Sequence, residues 1–460
     1  MLLAILVFLA ALALAVWGGR GGLRALVVLA IVLAPIRGGL LELGDELSLS
    51  DPGITINAIV PALVAAVAIG CAFQLRPRLS DFPRPLLIGW ALIAAAAVLS
   101  FPAKVVGLEL YGIGFAQYLV YPTLALAIWP LLEAGDTQRL TRLLIAMGVV
   151  VAATVIAQAM GIGGFIQAAS GQVDGLAANR YAGITGSFLH TSAFLGVTAV
   201  LCMGEFSTLR DWRARLGGTA VLALILSGEV LTFSRSGVVI AMIGVIVLFL
   251  FAMRGRRTAF TVLVAPAIAI AIVAGSIGGV APSAAGERVS SGFNPTKDPG
   301  NKLRTESFEK GFEAFEDGTI VQQAIGRGAA STGNAQQLVD DPAPKVTVES
   351  YYLKLLDETG IVGLILIGGF LIWAAIAFAL AAWRPISPWA GSVAAAGLGL
   401  SLYNAIYPAL ETQILALAWW VLLAICLKSA EEAEPIGIWR AGRRKNVSEP
   451  PAEREGALIG

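Results

Sequence analysis

The chain has 460 residues, of which 57% are hydrophobic and only 14% charged, and its mean hydropathy is +0.79. That balance excludes an ordinary soluble domain and points to a polytopic membrane protein. A net charge of +1 argues against a nucleic-acid partner, and Cys71, Cys202 and Cys426 all sit in apolar runs, a spacing that gives neither a disulfide framework nor a metal site.

A helix needs roughly 20 apolar residues to cross the hydrocarbon core. Apolar runs between breakers predict about thirteen spans, at 1–18, 22–36, 54–75, 86–106, 112–133, 143–166, 187–206, 217–233, 236–253, 259–279, 360–383, 388–408 and 412–428. The run Met1 to Trp17 has no basic flank before it and no small-residue cleavage site after it, so it reads as a retained helix. The expected fold is an all-α polytopic membrane protein with about 12–13 transmembrane helices and one large extracytoplasmic loop containing short helices. Four regions follow: transmembrane helices over 1–280, the large loop over 281–350, C-terminal transmembrane helices over 351–429 and a tail over 430–460.

Basic residues set the expected orientation. One set of connections carries Arg20, Arg24, Arg76, Arg78, Arg84, Arg139, Arg142, Arg210, Arg213, Arg215, Arg254, Arg256, Arg257 and Arg384. The alternate set carries only Arg37, Lys104, Arg180 and Arg235. By the positive-inside rule the rich side is cytoplasmic, and the tail with Arg443, Arg444 and Lys445 belongs with it. Residues 281–350 then face outward. The four exceptions lie at outer ends of spans, where a cation needs a partner or water. Snorkelling to the interface accounts for Arg37 and Lys104 as readily as a function does.

Within the large loop, "NKLRTESFEKGFEAFEDGT" reads as a helix over Asn301 to Thr319. Phe308, Phe312 and Phe315 fall at helical spacing and predict a buried stripe, with Arg304 one turn earlier on the same face. Glu306, Glu309, Lys310 and Glu313 make the solvated face. In "QQAIGRGAAS", Arg327 stands between two glycines, where exposed backbone N–H groups beside a guanidinium suit an anion; a plain Gly-rich turn is the simpler reading. "VESYYLKLLDETG" returns the chain to the bilayer and puts Glu349 at the outer surface. Tyr351 and Tyr352 read equally as interfacial belt aromatics or sugar-stacking residues. Lys354 and Glu358 read as a helix-surface pair.

Arginines around an outer-leaflet site suit phosphate oxygens, because a planar guanidinium forks onto them and several together neutralise a diphosphate. The scaffold is membrane-embedded, so the substrate class that fits is a polyprenyl-diphosphate-linked sugar. Its diphosphate is an activated leaving group, and transfer then asks for cations, a base and no cofactor or metal. Glu349 is the best-placed carboxylate for that base. His190, the sole histidine, has no second histidine to pair with and reads as an interface residue or a weak acceptor-side contact. Glu229, inside a span, is a functional candidate that also reads as the neutraliser of an arginine such as Arg180. Asn404 and Glu411 are weaker candidates of the same kind.

Three stretches resemble the O-antigen ligase and Wzy-type polysaccharide polymerase superfamily. "RYAGITGSFLHTSAFLG", Arg180 to Gly196, is similar to the segment that opens one of its helices. "LTFSRSG", Leu231 to Gly237, looks like its T-x-S-R segment, and "ESYYLKLLDETGIVGL", Glu349 to Leu364, resembles the segment closing its large outer loop. The resemblance covers roughly Arg180 to Leu364. It implies a metal-independent, inverting glycosyltransferase in the bacterial plasma membrane that uses undecaprenyl-diphosphate-linked glycan, with the bilayer and a chain-length regulator as further partners. Carried over by motif, Arg235 and Arg304 contact the diphosphate and Arg180 matches the arginine of the first segment. One departure stands out: lipopolysaccharide ligases have His-Asn where this chain has Glu349-Ser350. That favours a polymerase over a ligase. A transporter or flippase of lipid-linked oligosaccharide is the third reading, disfavoured because the uncompensated charges gather at one face and no inverted repeat is visible.

Overall fold

The computed structural model describes residues 2–46, 52–133, 135–162, 171–172, 179–207, 209, 211–252, 264, 267–268, 299–333, 348–383, 385 and 387–432. Among them, eight helices are long and apolar enough to cross a membrane: Ile56–Gln74, Arg84–Ala103, Leu108–Leu131, Asp136–Ala159, Phe188–Phe206, Trp212–Leu231, Tyr351–Trp383 and Gln413–Glu431. Leu3–Trp17 and Arg235–Leu250 are shorter apolar helices. The protein is an all-α, multi-pass membrane protein. Most of the predicted span 259–279, the two ends of the large loop and nearly all of the tail lie outside the described residues.

In chain order the first helices are α1 (Leu2–Trp17), α2 (Gly19–Leu33), α3 (Arg37–Glu46), α4 (Pro52–Gln74), α5 (Arg84–Leu99), α6 (Leu108–Ile128) and α7 (Asp136–Ala159). A two-residue antiparallel pair follows, β1 (Gly171–Gln172) with β2 (Asn179–Arg180), in which Gly171 faces Arg180. Then come α8 (Phe188–Phe206), α9 (Trp212–Leu231) and α10 (Arg235–Val247), and in the large loop α11 (Pro299–Glu316) and α12 (Ile320–Ile325). The chain ends with α13 (Tyr351–Gly363), α14 (Gly369–Trp383), α15 (Pro388–Tyr403) and α16 (Gln413–Glu432).

Helix starts follow local chemistry. Ser387 accepts from the Ala390 amide with Pro388 in the first turn, Asp211 accepts from Arg213, and Thr319 and Gln322 form a reciprocal capping box before α12. α8 and α16 are the inner helices, each 83% buried over its most apolar window. α8 is wrapped by α7, α9, α10 and α15, while α16 packs on α6 and α15.

One expectation changes and one boundary holds. The span predicted at 22–36 is a 15-residue helix that ends at Leu33, and α3 begins afresh at Arg37. At about 1.5 Å per residue, α2 rises too little to cross a roughly 30 Å core upright. The span predicted from 360 does begin at a break: helical backbone runs over Tyr351–Trp383, but Gly360, with φ 66°, divides the polar mouth from the apolar span.

Candidate functional site

The mouth helix is interrupted at its tenth residue. Gly360 has φ 66° and ψ −171°, a conformation open essentially to glycine alone. A Cβ there would come within 2.5 Å of the Ala324 carbonyl and the Gly326 amide. The break frees carbonyls that a continuous helix would engage. Asp357 O accepts from the Arg327 amide at 2.8 Å and Glu358 O from the Gly328 amide at 3.0 Å. The loop after α12 is therefore seated on the break. The N–H groups of "GRG" are spent on carbonyls, so the expectation that they stand exposed for an anion is corrected.

Side chains complete the seat. The Arg327 guanidinium lies 3.5 Å from Asp357, and Ser331 donates to the other Asp357 oxygen at 3.1 Å. Lys354 sits 2.9 Å from Glu358 and 3.2 Å from Glu411, all three buried. Glu358 also accepts from the Tyr118 hydroxyl at 2.6 Å and from both the amide and hydroxyl of Thr332. Lys354 and Glu358 are thus an interior ion pair, not the surface pair their spacing suggested. The polar residues at the head of a membrane helix are there to hold a loop down.

The three resembling stretches are joined through the segment 403–407. Glu349 is fixed from both directions: its amide donates to Ser307 of α11 at 2.9 Å, and the Tyr351 amide donates to Asn404 O at 3.1 Å. Tyr403 and Tyr407, in and just after the end of α15, stack at 5.3 Å between centroids. Tyr403 donates to Ser236, next to Arg235, at 2.6 Å. The Tyr407 hydroxyl is 2.9 Å from His190 Nε2. Burial pushes the Tyr407 phenol well above its ordinary pKa, and the charges of Glu411 and Glu349 add to the shift. The phenol therefore stays protonated, and Glu349 lies within its electrostatic reach.

Arg235 opens α10 after a sharp turn. Phe233 adopts φ 50°, a left-handed value unusual for an aromatic residue, and is buried with Leu231 and Val155. Such a conformation costs about 1–3 kcal/mol and persists only where its surroundings impose it. Ser234 caps the helix, and Ser192 of α8 accepts from the Gly237 amide at 2.8 Å. Glu229 takes part in the same start. It accepts from Ser192 at 2.7 Å and from the Val238 amide, and among the described residues it forms no ion pair. The reading of Glu229 as the neutraliser of Arg180 is corrected: its carboxyl is bonded to Ser192 and to an amide in the first turn of α10.

The remaining candidates are placed as follows. Arg180 ends β2 with its guanidinium 4.6 Å from the Phe188 ring centroid, just before His190. Arg304 lies on α11, one turn before Ser307, and its side chain is outside the described residues. Tyr351, expected to face sugar or interface, is instead buried, lining with Tyr118 and Tyr121 a cavity of about 20 Å³, room for one water. Tyr352 is half-buried against Gly368. Asn404 and Glu411 serve the architecture: Asn404 accepts from the Leu410 amide, and Glu411 holds Lys354. The stripe on α11 is also rotated. Phe308 and Phe315 pack on Val348, Leu353 and Leu356, whereas Phe312 is 48% exposed.

Tyr403, Tyr407, Ser236 and Ser192 were not singled out from sequence. The signal available was "LYNAIYPALET", an aromatic and polar run between two apolar helices where a bare turn would suffice.

Residues 220–368 match the family model described as O-Antigen ligase. Over that stretch the chain is similar to O-antigen ligases. The matched stretch runs from within α9 to the end of the mouth segment, so it includes Arg235, Arg304, Arg327 and Glu349, while Arg180 and His190 come from the chain before it. A search of curated proteins finds no match.

Proposed function

We propose that the protein is a polysaccharide polymerase of the O-antigen ligase superfamily, acting on undecaprenyl-diphosphate-linked repeat units at the outer face of the plasma membrane. The observation that carries this reading is the meeting of Arg235's helix start, His190 and Glu349 around the stacked pair Tyr403 and Tyr407.

In the proposed step Glu349 takes the proton of an acceptor hydroxyl, whose oxygen forms a bond to the anomeric carbon of the donor. The bond from that carbon to the phosphate oxygen breaks, and undecaprenyl diphosphate leaves with the electron pair. Attack opposite the leaving group inverts the anomeric centre. Arg180, Arg235 and Arg304 hold the charge that builds on the diphosphate, where forked guanidiniums act most strongly in a partly dehydrated site. Arg327 is the weakest of the four arginine assignments, because Asp357 already engages it.

A ligase is the second reading, and one observation favours it. The chain's one histidine, His190, bonds Tyr407, the phenol that feels the charge of Glu349, and could take the part of the histidine missing at position 349. A deletion strain separates the two by gel and mass spectrometry of its lipid-linked glycan. Single repeat units without long chains are expected for a polymerase. Long lipid-linked chains that never reach a final acceptor would establish ligation instead, and unaltered glycan would remove both.

A further inference from the structure

Arg37 has a placement that its surroundings do not explain. It is the first residue of α3, the end at which the helix dipole is least favourable to a cation. It is half-buried, with its Nε sealed from solvent and lacking an acceptor, and no carboxylate among the described residues lies within ion-pair distance. Full snorkelling to the interface does not fit a buried Nε. A cation held partly out of water without a counter-charge is costly, and such residues in membrane proteins generally mark a ligand path.

Its neighbours are the site's own. Arg37 lies within electrostatic reach of Tyr121 and His190. Its position relative to them is rigid. The next residue, Gly38, packs its backbone on Gly186, and a Cβ on Gly38 would lie 2.2 Å from the Gly186 amide nitrogen. That contact ties α3 to the segment running from Arg180 to His190. Beyond His190 stands the protonated phenol of Tyr407, 2.9 Å from the ring nitrogen. A guanidinium, an imidazole and a phenol thus follow one another, and the phenol of Tyr407 stacks on Tyr403, which bonds Ser236 beside Arg235.

We propose that Arg37 is a further phosphate-binding residue of the donor site, gripping a phosphate oxygen of the polyprenyl diphosphate from the N-terminal helices. This rests on the glycan-transfer reading above and extends it to a residue far outside the matched stretch. The ligand chemistry is a lipid-borne phosphate oxyanion, which a guanidinium takes in a forked geometry and an amide does not.

The test uses the full chain in lipid nanodiscs, with binding of undecaprenyl diphosphate measured for wild type, Arg37→Gln and Arg37→Lys. Phosphatidylglycerol is titrated in parallel. The glutamine variant is expected to bind undecaprenyl diphosphate about tenfold or more weakly, with phosphatidylglycerol association unchanged and the melting temperature close to that of wild type. The lysine variant, which keeps the charge but not the fork, is expected to fall between the two. It also decides the matter if the glutamine variant fails to fold. Binding within about twofold of wild type in the folded variants would overturn the assignment of Arg37. An equal loss of phosphatidylglycerol would overturn it too, by making Arg37 a bulk-lipid contact. Failure of the wild type itself to bind undecaprenyl diphosphate would instead remove the donor site as a whole.

Discussion

Lys354, Glu358 and Glu411 carry formal charges in a space almost closed to water. Removing one member of such a group leaves the others uncompensated, which costs ~3–5 kcal/mol, more than the net worth of the intact set. Lys354→Met is therefore expected to lower the melting temperature sharply in detergent; a variant as stable as wild type would mean the carboxylates are protonated or hydrated. The site residues make a contrasting group. Glu349→Gln is expected to cripple turnover while leaving donor binding measurable, and full activity would remove Glu349 as base. Arg235→Lys is expected to abolish most transfer, because a point charge does not replace a fork; normal chain length from that variant would sink its diphosphate role. At this scale the sequence was legible for residue type and not for depth. Spacing four apart on a helix makes Lys354 and Glu358 neighbours, but only the docked loop, 22 or more positions earlier in the chain, makes them interior.

Among the elements, the break at Gly360 governs how the large loop meets the bundle. Gly360→Ala forces a side chain into the Ala324 carbonyl and a backbone conformation that alanine resists. Release of the 325–333 segment is expected, read as faster proteolysis within the loop, and unchanged proteolysis would show that the loop is held without the break. For α11, Phe308→Ala is expected to cost about 1–2 kcal/mol and Phe312→Ala close to nothing, since only the former packs. Equal effects would restore the three-phenylalanine stripe read from periodicity. That reading failed because Ser307 and Gly311, small residues that periodicity ignores, are the ones that approach the mouth helix. The long spans were legible, since roughly 20 apolar residues in water have no other solution. The short α2 and the start of α3 were not, because nothing in an apolar run marks where a helix yields to a turn.

Over the whole molecule, segments more than 200 positions apart in sequence are brought to one end of the bundle: Arg37 and His190 from the N-terminal half, Arg235 from the middle, Glu349 and Tyr407 from the last third. The resemblance in short motifs made that convergence expected, while the tyrosines that join the motifs have no motif of their own. The charge asymmetry of the connections leads us to expect this end to face outward, as the proposed function requires. The central claim is that this assembly elongates such glycans. The most direct measurement is a reconstitution: wild type and Glu349→Gln in liposomes, supplied only with undecaprenyl-diphosphate-linked repeat units. Mass spectrometry should find longer lipid-linked chains and released undecaprenyl diphosphate with wild type, and neither with the variant. Repeat units left unchanged by the wild-type protein, or elongated equally by both, would contradict the account.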